Sequence, residues 1–197
     1  MLQVKQIVNS IFTSNTYIVF DSEYDYCWLI DVGDYPKVIE ELSKKVTIKG
    51  VFLTHAHFDH TCGINDLHKN HPECRVYTSE YGKEALYYEK KNFSKYHNAP
   101  FVFEGNDVVV LNDGDKIELY PGVYIIAHET PGHCPSCLTY VLDNWIFTGD
   151  AYIPDVKVVT KLPGGDRIMA KQSTEIIIKL AEDKIVCSGH GKIKRNN

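Results

Sequence analysis

Short apolar segments, alternating or unbroken and bounded by Gly, Pro, Asn, Asp and Ser, predict β-strands through most of this chain. Residues 2–8 and 15–20 are separated by Asn9-Ser10 and by Thr13-Ser14-Asn15-Thr16, which supply turn chemistry. Cys27-Trp28-Leu29-Ile30 follows and stops at Asp31-Val32-Gly33, so the opening third predicts a β-meander. Pro36 suits a first helical turn, and Val38, Ile39 and Leu42 share one face of a helix carried to about Lys45. Gly50-Val51-Phe52-Leu53 predicts a buried strand. Ile64, Leu67, His68 and Asn70 predict a helix stopped by His71-Pro72, then Arg75-Val76-Tyr77 a strand and Glu80 to Lys90 a helix.

Residues 91–106, with Asn92, Asn98, Pro100 and Gly105, predict a long loop, and loops of such length in compact domains are commonly functional. Its Phe93, Tyr96 and Phe101 are candidates for a substrate wall. Strands resume at 107–111, 116–119, 122–128, 137–142 and 145–148, with Asp113-Gly114 and Pro121-Gly122 as punctuation. After an irregular stretch from Ile153 to Asp166, residues 171–181 predict a last helix with Ile176, Ile177 and Leu180 inward, and 184–188 a strand. The same rhythm of strands and helices occurs twice without a linker or a shift in composition. An α/β fold and a single domain over residues 1–197 are expected.

Composition narrows the function classes. A hydrophobic content of 44% and a charged content of 24% are those of an ordinary soluble globular chain. The formal charge of −5 gives no general attraction to phosphate backbones, so nucleic acid is not the expected partner. No apolar run approaches the roughly 20 residues that span a bilayer, so no membrane partner is expected. The first residues lack a charged-then-apolar signal layout, and a cytoplasmic location is expected. Six cysteines, Cys27, Cys62, Cys74, Cys134, Cys137 and Cys187, are then expected as thiols. Cys134-Pro135-Ser136-Cys137 has redox-motif spacing, but Leu138-Thr139-Tyr140-Val141-Leu142 after it reads as a strand, where a thioredoxin-like pair would open a helix.

The densest chemistry lies in Thr54-His55-Ala56-His57-Phe58-Asp59-His60, which packs four potential metal ligands at the end of an apolar strand. In extended backbone His55 and His57 share a face, whereas Asp59 and His60 aim elsewhere. That suits two neighbouring metals better than one, His55 and His57 on the first and Asp59 and His60 on the second. Three further candidates follow apolar strands beside glycine: His133 in Pro131-Gly132-His133, Asp150 in Thr148-Gly149-Asp150, and His190 in Gly189-His190-Gly191. Asp31, also at a strand end, is either a turn residue or a carboxylate that fixes an imidazole tautomer.

Taken together, these motifs resemble the metallo-β-lactamase superfamily, in particular its glyoxalase II-like hydrolases, and the resemblance covers nearly the whole chain. It implies a four-layer αββα sandwich with metals at one edge between two sheets. It further implies one metal on His55, His57 and His133, a second on Asp59, His60 and His190, and Asp150 bridging them. Two departures stand out. Only seven residues follow His190, where glyoxalase II carries a helical domain contributing to its glutathione site, and Ala151-Tyr152-Ile153-Pro154 replaces the family's Cys-Gly-x-Phe-x-Glu-Gly stretch.

The expected cofactors are two zinc ions, with iron or manganese as alternatives. The expected reaction is hydrolysis of a small-molecule thioester, ester or lactone by a metal-bridging hydroxide that Asp59 orients. The competing expectation is an oxidoreductase like the superfamily's persulfide dioxygenases, with one iron on His55, His133 and Asp150.

Overall fold

Strands β1 (Leu2–Val8), β2 (Asn15–Asp21) and β3 (Tyr26–Ile30) pair antiparallel, and β4 (Thr47–Phe52), β5 (Arg75–Thr78) and β6 (Val108–Val110) extend the same sheet in parallel. The change of direction follows from the connections: tight turns join the first three strands, whereas helices carry the chain over to each later one. These features are seen in a computed structural model that describes residues 1–43 and 45–195. Lys44, Asn196 and Asn197, which the expected first helix and the expected domain 1–197 include, lie outside the described residues.

The second sheet runs β12 (Lys194–Arg195), β11 (Ile185–Ser188), β10 (Trp145–Gly149), β9 (Leu138–Leu142), β8 (Val123–Glu129), β7 (Lys116–Tyr120). Its pairs are antiparallel except β10 with β11, which are parallel and joined through helix α5 (Arg167–Leu180).

Side-chain alternation assigns the layers. Tyr17, Val19, Trp28, Ile30 and Phe52 pack between the sheets against Leu138, Tyr140 and Phe147. The intervening Ile18, Leu29 and Val51 point the other way, onto Val38 of α1 (Tyr35–Glu41), Ile64 and Leu67 of α3 (Ile64–Asn70) and Leu86 of α4 (Glu80–Leu86). On the far side, Ile146 and Val186 meet Ile177 and Ala181 beneath α5. The result is helices, sheet, sheet, helix. Strands buried on both faces read as near-continuous apolar runs, which is why they were so visible in the sequence.

Some element bounds differ from expectation. Helix α1 ends at Glu41 because Leu42 is extended, with φ −98° and ψ 140°; Val38 is inward but Ile39 is 39% exposed. Helix α4 ends at Leu86 rather than Lys90. Helix α5 begins at Arg167, earlier than 171, because the Asp166 carboxylate accepts hydrogen bonds from the Ile168 and Met169 amides, both at 2.8 Å. Its inward positions are Ala170, Ser173 and Ile177, and Ile176 is 46% exposed. The loop 91–106 holds a 3-10 turn at Ser94–Tyr96. One turn of helix, α2 (Phe58–Thr61), and the short β12 have no counterpart in the predicted elements.

Hydrogen bonds between the sheets hold the edge where the strand-end motifs meet. The Leu138 amide donates to the Thr54 carbonyl at 2.8 Å, and the Asn15 amide donates to the Gly189 carbonyl at 2.7 Å. The Tyr140 hydroxyl donates to the Leu53 carbonyl at 2.8 Å, and the Tyr17 hydroxyl to the Ser188 carbonyl at 2.6 Å.

Candidate metal centre

Each candidate ligand leaves a strand end at this edge. His55 and His57 follow β4; Asp59 and His60 ride the single turn of α2, which begins at Phe58 and brings the His60 ring back to 4.2 Å from that of His55. His133 follows β8, Asp150 follows β10 and His190 follows β11. The ligand atoms of His55, His57 and His133 lie within 4.8 Å of one another, as do those of Asp59, His60 and His190.

Asp150 lies between the two groups. Its Oδ1 is 3.6 Å from His60 Nε2, and its Oδ2 is 3.7 Å from His133 Nε2 and 3.5 Å from His190 Nε2. Asp59 Oδ2 is 3.5 Å from His60 Nε2 and 3.3 Å from His190 Nε2. The seven candidates are therefore all brought together. Among the described residues, His55 Nε2, His60 Nε2 and Asp150 Oδ1 are buried without a hydrogen-bond partner. Such orphaned atoms are costly unless a cation meets them, and a set of imidazoles and carboxylates is the donor chemistry zinc takes.

Partners behind the rings fix which nitrogen faces the site. His133 Nδ1–H donates to the Val159 carbonyl at 2.8 Å, turning Nε2 inward. His60 Nδ1–H donates to Asp31 Oδ2 at 2.8 Å. Asp31 also accepts from the Thr54 amide and hydroxyl, each at 2.7 Å, so its carboxylate is fully used in holding this corner. With its proton given to Asp31, the Thr54 oxygen, 3.1 Å from His55 Nδ1, accepts from that ring and leaves Nε2 for the centre. Of the two readings of Asp31, the geometry selects the tautomer-fixing one. The Val159 carbonyl and Thr54 were not among the candidates. A backbone acceptor has no residue-type signal, and Thr54 was read only as the start of the motif.

Glycine is required beside Asp150. A Cβ on Gly189 would sit 2.1 Å from Asp150 Oδ1 and 2.9 Å from His60 Cε1. Gly189 thus lets β11 pass close behind the carboxylate.

The electrostatics without a metal are those of a proton-filled cluster. Burial disfavours a charged His60, but Asp59, Asp31 and Asp150 raise it to about 9. Burial is likewise outweighed at His190, where hydrogen bonds to Asp150 and Asp59 raise it to about 10. Burial opposes ionisation of Asp150, yet the hydrogen bond from His190 and the nearby imidazoles hold its carboxyl well below the usual range. His55 is pushed far down by burial, reinforced by its neighbouring imidazoles, and stays neutral. The site thus balances protonated His60 and His190 against ionised Asp59 and Asp150, and a metal cation would replace those protons.

Two other sequence candidates lie nearby. Phe93, held at φ 64°, packs against His57 with ring centroids 4.7 Å apart. Tyr96 is 67% exposed, and Phe101 packs on Phe58. Cys134 and Cys137 are buried free thiols with sulfurs 3.3 Å apart, Cys134 beside His57 and His133, and the segment after them is strand β9.

The Metallo-beta-lactamase superfamily profile matches residues 11–190. Curated relatives include the hydroxyacylglutathione hydrolases of Hahella chejuensis, 27% identical over 185 residues, and of Cronobacter sakazakii, 28% identical over 186 residues. These alignments cover 91% and 93% of the chain but only 62% and 65% of the relatives, so the chain spans less than two thirds of their length. Among solved structures, the BLEG-1 B3 metallo-beta-lactamase superposes with a TM-score of 0.86 at 24% identity, covering 98% of this chain and 94% of that one. TTHA1623, solved in a di-iron-bound form, superposes with a TM-score of 0.81 at 23% identity, covering 97% and 94%. These two likenesses establish the shared fold. Among the described residues no helix is long and apolar enough to cross a membrane.

Proposed function

The chain belongs to the metallo-beta-lactamase superfamily, and from that premise we propose that it is a dinuclear metal-dependent hydrolase of a thioester or a related ester or lactone. The observation that carries this reading is the position of Asp150, whose two oxygens face both histidine groups and whose Oδ1 has no hydrogen-bond partner among the described residues. On this reading residues 1–197 form one domain of the family. His55, His57 and His133 hold one ion, Asp59, His60 and His190 the other, and Asp150 serves both.

Two zinc ions bound there supply Lewis acidity toward an acyl oxygen and lower the pKa of water from about 16 to near 7. The chain's own residues do the rest. Asp31, Thr54 and the Val159 carbonyl keep the imidazoles in the tautomers that face the site. Asp59, the proposed catalytic residue, accepts a hydrogen bond from the attacking water and aligns it. Phe93 shields the His57 side from solvent. The relatives' name supports a carrier-linked acyl group, since a hydroxyacylglutathione joins its acyl group to a thiol.

Zinc is the metal proposed from the donor set, and a similar fold with two irons makes metal analysis the first measurement. Protein purified from metal-replete growth should hold two equivalents of metal and hydrolyse at least one member of a thioester, ester, lactone and β-lactam panel. One tightly bound iron together with oxygen consumption on a persulfide would instead establish the oxidoreductase.

A further inference from the structure

Beside the metal centre, a groove of about 890 Å³ opens between the first half of α5 and the segment 152–160. Its apolar surface comes from Ile153, Val156, Val158 and Ile168. Val156 is 56% exposed and Ile168 73% exposed, although α5 buries its own face through Ala170, Ser173 and Ile177. Ile168, Lys171 and Glu175 are three and four positions apart, so they form a second stripe on the helix, turned toward the groove.

The groove is continuous with the site. Ile153, Val156, Lys157 and Val158 also line a small cavity bounded by His133 and Asp150. Val159 in the same segment accepts the His133 Nδ1 hydrogen bond.

Its charge runs against that of the chain. Lys157, Arg167 and Lys171 line it, and among the described residues none of the three has an ion pair. Asp155 is taken by Lys194, which leaves Glu175 as the one uncommitted carboxylate. An excess of unpaired cations around an apolar floor, in a chain of formal charge −5, is complementary to an amphipathic anion.

We infer that this groove receives the non-reacting end of the substrate, an apolar segment ending in a carboxylate or phosphate. Val156, Val158 and Ile168 contact the apolar segment, Arg167 and Lys171, one turn apart on α5, meet the anionic terminus, and Lys157 stands at the neck toward the metals. As a substrate subsite the assignment rests on the hydrolase reading, but the binding site itself can be measured without turnover.

The test uses metal-loaded protein and three probes of equal chain length: octanoate, octyl phosphate and octanol. Amide shifts of Val156, Ile168 and Lys171 should move with each anion, and both anions should bind about tenfold tighter than octanol, the range of one or two partly exposed charge contacts. The comparison of octanoate with octyl phosphate identifies the preferred anion. In the Arg167→Gln/Lys171→Gln double variant, whose altered side chains are exposed, the preference for anions should fall to within about twofold of octanol while two metals remain bound. An anion preference that survives the double variant would place the probe on the metals and overturn the assignment. So would equal binding of octanol, or groove shifts that track protein concentration without any probe, which would mark the groove as a contact with a second copy. A matched pair of thioesters, one with a terminal carboxylate and one with a methyl group, separates the two readings. If the groove shifts appear but neither these thioesters nor any member of the ester, lactone and β-lactam panel is cleaved, the hydrolase reading fails and the groove stands. If both are cleaved at equal kcat/KM, the groove is not a substrate subsite.

Discussion

The Asp31 carboxylate accepts a hydrogen bond from His60 Nδ1 at 2.8 Å, with both side chains sealed from solvent. Asp31 comes from β3 in the meander and His60 from the turn after β4, so this contact joins the frame of the first sheet to the proposed second metal position. Asp31 itself is held at φ 56°, a left-handed conformation that costs energy for a residue with a side chain.

Asp31→Asn should weaken metal affinity at the second position by roughly 10–100-fold, the usual effect of removing a partner behind a ligand imidazole. The first position should be affected less, because there Asp31 acts only indirectly, through Thr54 on His55. Competitive chelator titration of the variant checks this; two unchanged affinities would mean that Asp31 is only a turn residue.

Asp150→Ala should lower occupancy of both metals and reduce kcat by on the order of a hundredfold or more, exceeding the change expected behind the ligands. His190→Ala should mainly empty the position shared with Asp59 and His60. Metal stoichiometry measured beside kcat compares the two variants. Retention of two metals and near-normal turnover by the Asp150 variant contradicts a bridging carboxylate.

Acid–base behaviour should differ between metal-free and loaded protein. In the metal-free protein, His60 and His190 are raised above the ordinary histidine value, to about 9 and about 10. Their contribution to stability is therefore complete below about pH 6.5 and is lost as pH rises through 9 to 10. Asp150, held low, contributes above about pH 4, and that contribution is lost as pH falls through its folded value. Bound metal displaces the histidine protons, so the alkaline loss should vanish when metal is present, and acid should release the metal. Melting temperature against pH, with chelator and with zinc, gives the comparison; parallel alkaline limbs would refute it.

Gly189→Ala should destabilise the fold by about 1–3 kcal/mol and impair metal binding, because the new methyl group meets Asp150 Oδ1 and the backbone of Gly149. Thermal unfolding and metal content of the variant are the readouts. A normal melting temperature with full metal loading would show that β11 can move aside freely.

Much of this architecture was legible because burial on two faces leaves a strong mark. Tyr17, Ile18 and Val19 are all inside, serving two cores in turn, and so read as a strand from composition alone. The candidate ligands were visible because each follows a strand, β10 and β11 as buried runs before Asp150 and His190 and β8 as an alternating one before His133. Helix faces were harder. Ile39 and Ile176 adjoin truly inward residues, and a seven-residue helix such as α1 offers too few turns to separate Val38 from its neighbour. The start of α5 depended on a cap at Asp166 masked by the glycines before it. The groove along α5 was invisible for another reason: Lys157 and Arg167 meet there only through tertiary structure.

The Tyr17 hydroxyl and the Ser188 carbonyl, 2.6 Å apart in space and 171 positions apart in sequence, also bear on biosynthesis. A growing chain displays His55, His57, Asp59 and His60 long before β10 and β11 exist to bring Asp150 and His190 beside them. Long-range closure of this kind is slow compared with local helix and hairpin formation. On the proposed dinuclear reading, metal capture would be a late event in the making of this protein, and a ribosome-bound intermediate that stops before Ser188 would carry the histidine-rich stretch as loose, exchangeable ligands rather than as a centre.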